Sequence, residues 1–336
     1  MTNRISGTVI IVVMSAGLAF SQSKTGSSIG SFLLIEPSAR IAGMGNAGVT
    51  QYGDVLSAYY NPGAIGLLSG YSVQFTHSPW LADITYDYAA VGIPLGDLGN
   101  AFASVTALNS GEIDVRTVEL PLGTGEQYTV SNLAFAIGYG RQVSDRFSVG
   151  LQITYVSETI WHSSMSAFAL NIGTLYRISP DGLHIGASVS NFGTRAKFDG
   201  RDLRILYDRD PTKYGDNGAL PGELFTDDFP LPIMFRVGIG LPVQLGADNK
   251  VSLAVDAFHP SDNTESISMG AEWAFQNTIM LRGGYQNLFQ EDSELGLTLG
   301  AGVQYQIDTY RLHFDYGWAD HGRLEKTQRL TLGVTF

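Results

Sequence analysis

Six ionisable residues stand within runs that alternate large apolar with small polar residues: Arg236, Asp256, Glu272, Arg282, His313 and Asp315. Each falls on the small, polar side of its run. Groups so placed have two uses: they pair and brace the interior of a closed wall, or they line a polar path for a solute. The first four lie on consecutive runs, so opposite charges on neighbouring strands are positioned to pair. Bracing is the better-supported reading, because inward ionisable groups usually have partners.

Other candidate chemistry is thinner. The six histidines, at 77, 162, 184, 259, 313 and 321, are scattered, and no HExxH, Walker or G-x-S-x-G pattern occurs. His162-Ser163-Ser164 places a base beside hydroxyls, which reads as a polar loop tip. "DRDPTKYGDNG" (208–218) sets carboxylates near glycine. It lacks the spacing of a calcium loop and carries Arg209 and Lys213, so a mixed-charge loop is expected, with surface calcium as the alternative. The absence of cysteine excludes disulfides, thiolate metal sites and a lipidated cysteine. A net charge of -12 argues against nucleic acid as a partner. No enzyme activity, cofactor or metal site is expected.

The elements that would carry the six residues are strands. Phe147, Val149, Leu151, Ile153 and Tyr155 alternate with Ser148, Gly150, Gln152 and Thr154, and Tyr310 to Trp318 follows the same period of two. Fourteen such runs are predicted: 70–77, 84–94, 100–108, 128–140, 147–157, 166–177, 183–192, 231–241, 250–258, 266–275, 278–286, 295–306, 309–318 and 327–336. Their lengths suit tilted strands crossing a bilayer, and the even number suits a single-chain barrel. Tight connections alternate with longer links at 109–127, 158–165, 193–230, 287–294 and 319–326. The link at 242–249 is long for a turn, and 259–265 is short for a loop. A propeller or sandwich is the soluble alternative. The bulky face, with charged residues at only 15% of the chain, favours a transmembrane antiparallel β-barrel of about 14 strands instead.

Both ends agree. Arg4, the apolar stretch Val9–Phe20 and the small residues Ala19 and Ser21 read as a cleaved export signal over 1–21. At the other end "RLTLGVTF" alternates Leu330, Leu332 and Val334 and stops on Phe336, which resembles the terminal signal of the outer-membrane barrel assembly machinery. Outer-membrane lipid and that machinery are the partners implied, in the outer membrane of a Gram-negative-type bacterium.

Ahead of the strands lies Ser38–Leu68, with Ala39-Arg40, Gly43-Met44-Gly45, Ala47-Gly48, Asp54, Ala58-Tyr59 and Asn61-Pro62. Downstream come Ser190-Asn191-Phe192-Gly193, Leu231-Pro232, Arg236-Val237-Gly238, Gly270-Ala271-Glu272, Leu281 to Tyr285 and Gly300-Ala301-Gly302. In this order they resemble the PorV/PorQ family, within the FadL-like group of outer-membrane barrels. The chain departs from that pattern in Gly63, where the family usually has alanine, and in Asp54, which stands alone where two carboxylates are common. The resemblance implies a fourteen-stranded, non-enzymatic barrel closed by its N-terminal segment. It also implies a component of type IX secretion or surface attachment, with a large secretion barrel and cargo proteins as partners. The 193–230 loop offers Leu206, Tyr207, Leu220, Leu224 and Phe225 as contacts. The alternative it implies is a FadL-like channel, with a hydrophobic compound as ligand.

The expected organisation is therefore a signal peptide over 1–21, a plug segment over 22–69 and a barrel over 70–336. Residues 24–66 are expected inside the barrel, on its polar face. Gly43, Met44, Gly45, Asp54, Asn61, Pro62 and Gly63 form the plug motif. Glycines let such a chain fold tightly, and Asn61-Pro62-Gly63 supplies a turn before the first strand.

Overall fold

The computed structural model describes residues 26–179, 182–210, 212–213, 215, 219–290 and 293–336. The export signal lies outside the described residues. Seven strands come first: β1 (Ser72–Pro79), β2 (Thr85–Pro94), β3 (Asn100–Asp114), β4 (Gln127–Ser144), β5 (Phe147–Ile160), β6 (Ser163–Arg177) and β7 (His184–Gly193). Three short ones follow within a long loop: β8 (Asp199–Gly200), β9 (Arg204–Tyr207) and β10 (Leu220–Glu223). Seven more complete the chain: β11 (Met234–Leu245), β12 (Asn249–Pro260), β13 (Ser266–Phe275), β14 (Ile279–Leu288), β15 (Leu297–Ile307), β16 (Tyr310–Asp320) and β17 (Lys326–Thr335).

β1–β7 and β11–β17 form a closed antiparallel barrel of 14 strands. β7 pairs with β11 across the long loop, and β17 returns to β1, with Ser72 opposite Thr335 and His77 opposite Leu330. A closed ring leaves no edge strand with unpaired backbone groups, which is what a hydrocarbon environment requires. Each predicted run matches one barrel strand. On β1, Val73 and Phe75 are 50% and 46% exposed, whereas Ser72, Gln74, Thr76 and Ser78 are buried. The apolar face points out and the polar face in, the reverse of a soluble barrel.

The predicted links need correcting. The link at 158–165 is no loop: β5 and β6 continue to a hairpin tip at Trp161-His162. The link at 242–249 is likewise strand at both ends, with a turn at 246–248, and β3 extends to Asp114. The β3, β5 and β6 extensions lose the apolar alternation, whereas β11 keeps it through Val243 and Leu245. Outward Ser157 and Thr159 are polar, yet their backbone pairing continues.

At the seam, Phe336 stacks on Tyr71 with ring centroids 5.5 Å apart and lies 5.7 Å from Tyr310. Tyr71 and Phe336 also exchange both backbone hydrogen bonds at 2.9 Å. The terminal aromatic residue therefore helps to hold the closing pair of strands.

Among the described residues, the segment before β1 contains only short helices: 3-10 turns at Ser31–Leu34 and Pro62–Leu67, α1 (Ala39–Ala42) and α2 (Ser57–Tyr60). Its polar groups bond to strands around the ring. The Ala39 amide donates to Thr331 Oγ1 on β17 at 3.2 Å, Gly45 to Thr298 Oγ1 on β15 at 2.9 Å, and Val49 to Asp256 Oδ2 on β12 at 2.8 Å. Ser188 on β7 donates to the Tyr60 carbonyl at 2.7 Å, Ser148 on β5 to that of Gly63 at 2.6 Å, and Asn100 on β3 to that of Ile65 at 2.6 Å. Its short turns satisfy part of the backbone internally, and the polar wall residues supply partners for groups left over.

Candidate functional site

The segment's motif residues act mainly on its own backbone and on the wall. Ser38 caps α1 by accepting from the Ile41 amide at 3.3 Å. Gly43 ends α1, and Met44 is fully buried with Ala47 and Ala254. Gly45 takes φ 65, the left-handed conformation that a residue without Cβ adopts at least cost. Asn61 Oδ1 accepts from the Gly63 amide at 2.9 Å, and its Nδ2 donates to the carbonyls of Val49 at 2.8 Å and Thr174 at 2.9 Å. Pro62 starts the following 3-10 turn, where its missing N–H is no loss. A Cβ on Gly63 would lie 2.8 Å from the Gly173 carbonyl oxygen, which accounts for glycine at the position where the family pattern has alanine.

The lumen charges form a chain. Glu272 and Arg282 stand opposite each other on β13 and β14, and Arg282 Nε donates to Glu272 Oε2 at 2.6 Å. Arg282 Nη1 donates to Asp315 Oδ1 on β16, also at 2.6 Å. From the N-terminal segment, Arg40 grips Glu272 through Nε and Nη2, both at 2.9 Å, and reaches Asp54 Oδ2 at 3.2 Å through Nη1. The order is Asp54–Arg40–Glu272–Arg282–Asp315. Arg282 is nearly inaccessible, so these charge-assisted bonds stand in for water.

Arg236 and Asp256, expected to pair, do not. Arg236 lies opposite Phe258 and Asp256 opposite Gly238, so their registers miss. Arg236 instead donates to Ser190 Oγ at 3.1 Å and stacks over Tyr59 and Phe258, 5.4 and 5.8 Å from the ring centroids. Asp256 holds the Val49 amide. His313 is partly buried and joins no ion pair among the described residues.

Sequence reasoning missed Arg40 as a lumen charge, although it sits in the Ala39-Arg40 motif. It also missed Arg329 on β17, whose Nε donates to the Glu36 carbonyl at 2.9 Å and whose guanidinium lies 4.9 Å from the Trp80 ring centroid. Its parity with Thr331, opposite to Leu330 and Leu332, was the available signal. His162 shows no catalytic arrangement: its ring nitrogens bond to Asp202 and Arg201. Among the described residues no group of His, Asp and Glu is arranged to hold a metal ion, and part of 208–218 lies outside those residues.

Residues 19–259 match the family described as type IX secretion system protein PorV. The chain belongs to that family. A search of curated proteins finds no match. Among solved structures, the Pseudomonas putida toluene transporter TodX is similar with a TM-score of 0.56 and 13% identity, over 89% of this chain and 97% of that one. The Ralstonia pickettii toluene transporter TbuX gives 0.52 and 13%, over 89% and 97%. The monoaromatic hydrocarbon channel CymD gives 0.53 and 11%, over 90% and 98%. At such identities these neighbours establish the FadL-like barrel fold alone. Fold and family are both those of outer-membrane barrels.

Proposed function

We propose that this chain is a non-enzymatic component of type IX secretion in the outer membrane, with its lumen plugged by the 22–69 segment and its long-loop end presented to partners. The PorV-family match over 19–259 carries the reading. The plug is supported by hydrogen bonds from the segment to strands around the ring and by Arg40 in the ion chain, an arrangement suited to closure rather than conduction. The β9–β10 hairpin and its flank leave Leu206 75% and Phe225 84% exposed, apolar surface for a secretion barrel or cargo. Affinity capture from outer membranes tests this. Co-purification of a large secretion barrel is expected, and its absence from every capture would overturn the assignment.

A second reading is a channel for hydrophobic compounds, as the printed names of TodX and TbuX describe for those proteins. A cavity of about 400 Å³ at the loop end supports it, lined by Leu34, Ile35, Trp80, Met234 and Phe258. Toluene uptake into vesicles containing the barrel, absent from empty vesicles, would favour this reading.

A further inference from the structure

The turn end of the lumen holds a separate cavity of about 370 Å³. The ion chain borders it, and its carboxylates are engaged: Asp54 and Glu272 by Arg40, Glu272 and Asp315 by Arg282. Several donors around it are not. Lys250 and Arg311 have no ion-pair partner among the described residues, and His313 has no hydrogen bond there. Gln74 is 2% exposed and lines the same cavity, yet its Nε2 donates to nothing. An unmet buried donor costs about 1–3 kcal/mol, so a ligand that accepts from it gains the difference.

Gln74, Gly333 and His313 stand side by side on β1, β17 and β16. A Cβ on Gly333 would come 2.1 Å from His313 Nε2 and 2.9 Å from Gln74 Cγ. Only glycine leaves the imidazole room to lie across β17 beside the amide. The cavity thus has four cationic side chains, Arg40, Lys250, Arg282 and Arg311, against three carboxylates, and its side chains unpaired among the described residues are Lys250, Arg311, His313 and the amides of Gln74, Asn277 and Gln304. An apolar ligand would leave the unpaired cations and Gln74 unmet, and a neutral sugar would leave the excess positive charge uncompensated. A ligand made of acceptor oxygens with negative charge fits.

We infer that this cavity binds a small soluble oxyanion, a carboxylate or a phosphate, between Gln74 and His313 within and Lys250 and Arg311 at the mouth. Calorimetric titration of the full barrel in neutral detergent with succinate and with inorganic phosphate tests it. At least one is expected to bind one to one, and binding should weaken as sodium chloride rises. The exposed double substitution Lys250→Ala/Arg311→Ala should weaken it tenfold or more, and so should Gln74→Leu. Heat-modifiable migration in gels checks that each variant is folded. Should Gln74→Leu not fold, the double variant decides. Failure of both anions to bind the parent barrel overturns the inference, as does unchanged binding in the folded variants.

Discussion

Arg282 illustrates what one residue does in this lumen. It is the sole bridge between Glu272 and Asp315 described above, and all three side chains are nearly shut off from solvent. Removing the shared cation leaves two carboxylates facing each other in a low-dielectric site. Arg282→Ala is therefore expected to destabilise the barrel by about 3–5 kcal/mol, measured by urea unfolding from lipid vesicles. Glu272 has a second cation in Arg40, so an unchanged unfolding midpoint would mean that Arg40 alone suffices.

His321 makes a pH prediction outside the strands. Burial, reinforced by Arg329, lowers its pKa from the ordinary 6.5 to about 4, while its Nε2 bonds to Thr327 Oγ1 at 2.9 Å. The folded protein keeps this ring neutral where the unfolded chain would protonate it. Its contribution is fully present above pH 6.5 and is lost as pH falls from 6.5 towards 4, where the folded state also takes up the proton. The parent protein should lose more stability than His321→Gln across that window. Parallel urea midpoints for the two proteins would refute this.

At the scale of elements, the strands were legible and the charge chain only in part. Period-two alternation marks a strand with lipid on one side and polar surroundings on the other, so each barrel strand announced itself. Where β5 and β6 rise beyond hydrocarbon the alternation lapses, and the sequence looked like a loop. Glu272 and Arg282 could be expected to pair from neighbouring strands, and they do. Arg236 and Asp256 looked equivalent, but pairing depends on register, which the runs do not specify to the residue. Arg40 was invisible as a partner because only docking of a remote segment brings it to Glu272.

That docking can be tested in a cysteine-free background. Ala39→Cys with Thr331→Cys should form a disulfide on mild oxidation, because the Ala39 amide lies 3.2 Å from Thr331 Oγ1. No cross-link in folded barrels would place the segment elsewhere. Gly63→Ala should cost about 1–3 kcal/mol in urea unfolding, since the added methyl meets the Gly173 carbonyl.

For the whole molecule, stability depends on facing the right way. Ile137 on β4 is 67% exposed on the outer face of the barrel, and its neighbours Phe135 and Ile153 point outward with it. In a bilayer this surface is covered by acyl chains. Ile137→Arg should cost about 2–4 kcal/mol in vesicles if it lies near the midplane, falling towards zero in detergent, which lets the long side chain reach water. Equal costs in the two media would argue against a membrane-spanning wall.

The β1–β17 seam joins the two ends of the barrel sequence, and the early segment is bonded to strands on both sides of it, Asn100 and Thr331 among them. On the proposed plug, this segment is expected to dock before β17 closes on β1. That makes the order of events testable: the first part of the chain finds its seat while the last strand is still free, as a ship is set in its bottle before the neck is drawn. Substitutions that slow this seating, such as Asn61→Ala, should delay the appearance of heat-resistant barrel more than they shift its final stability. A refolding time course in vesicles that matched the parent protein would break that link.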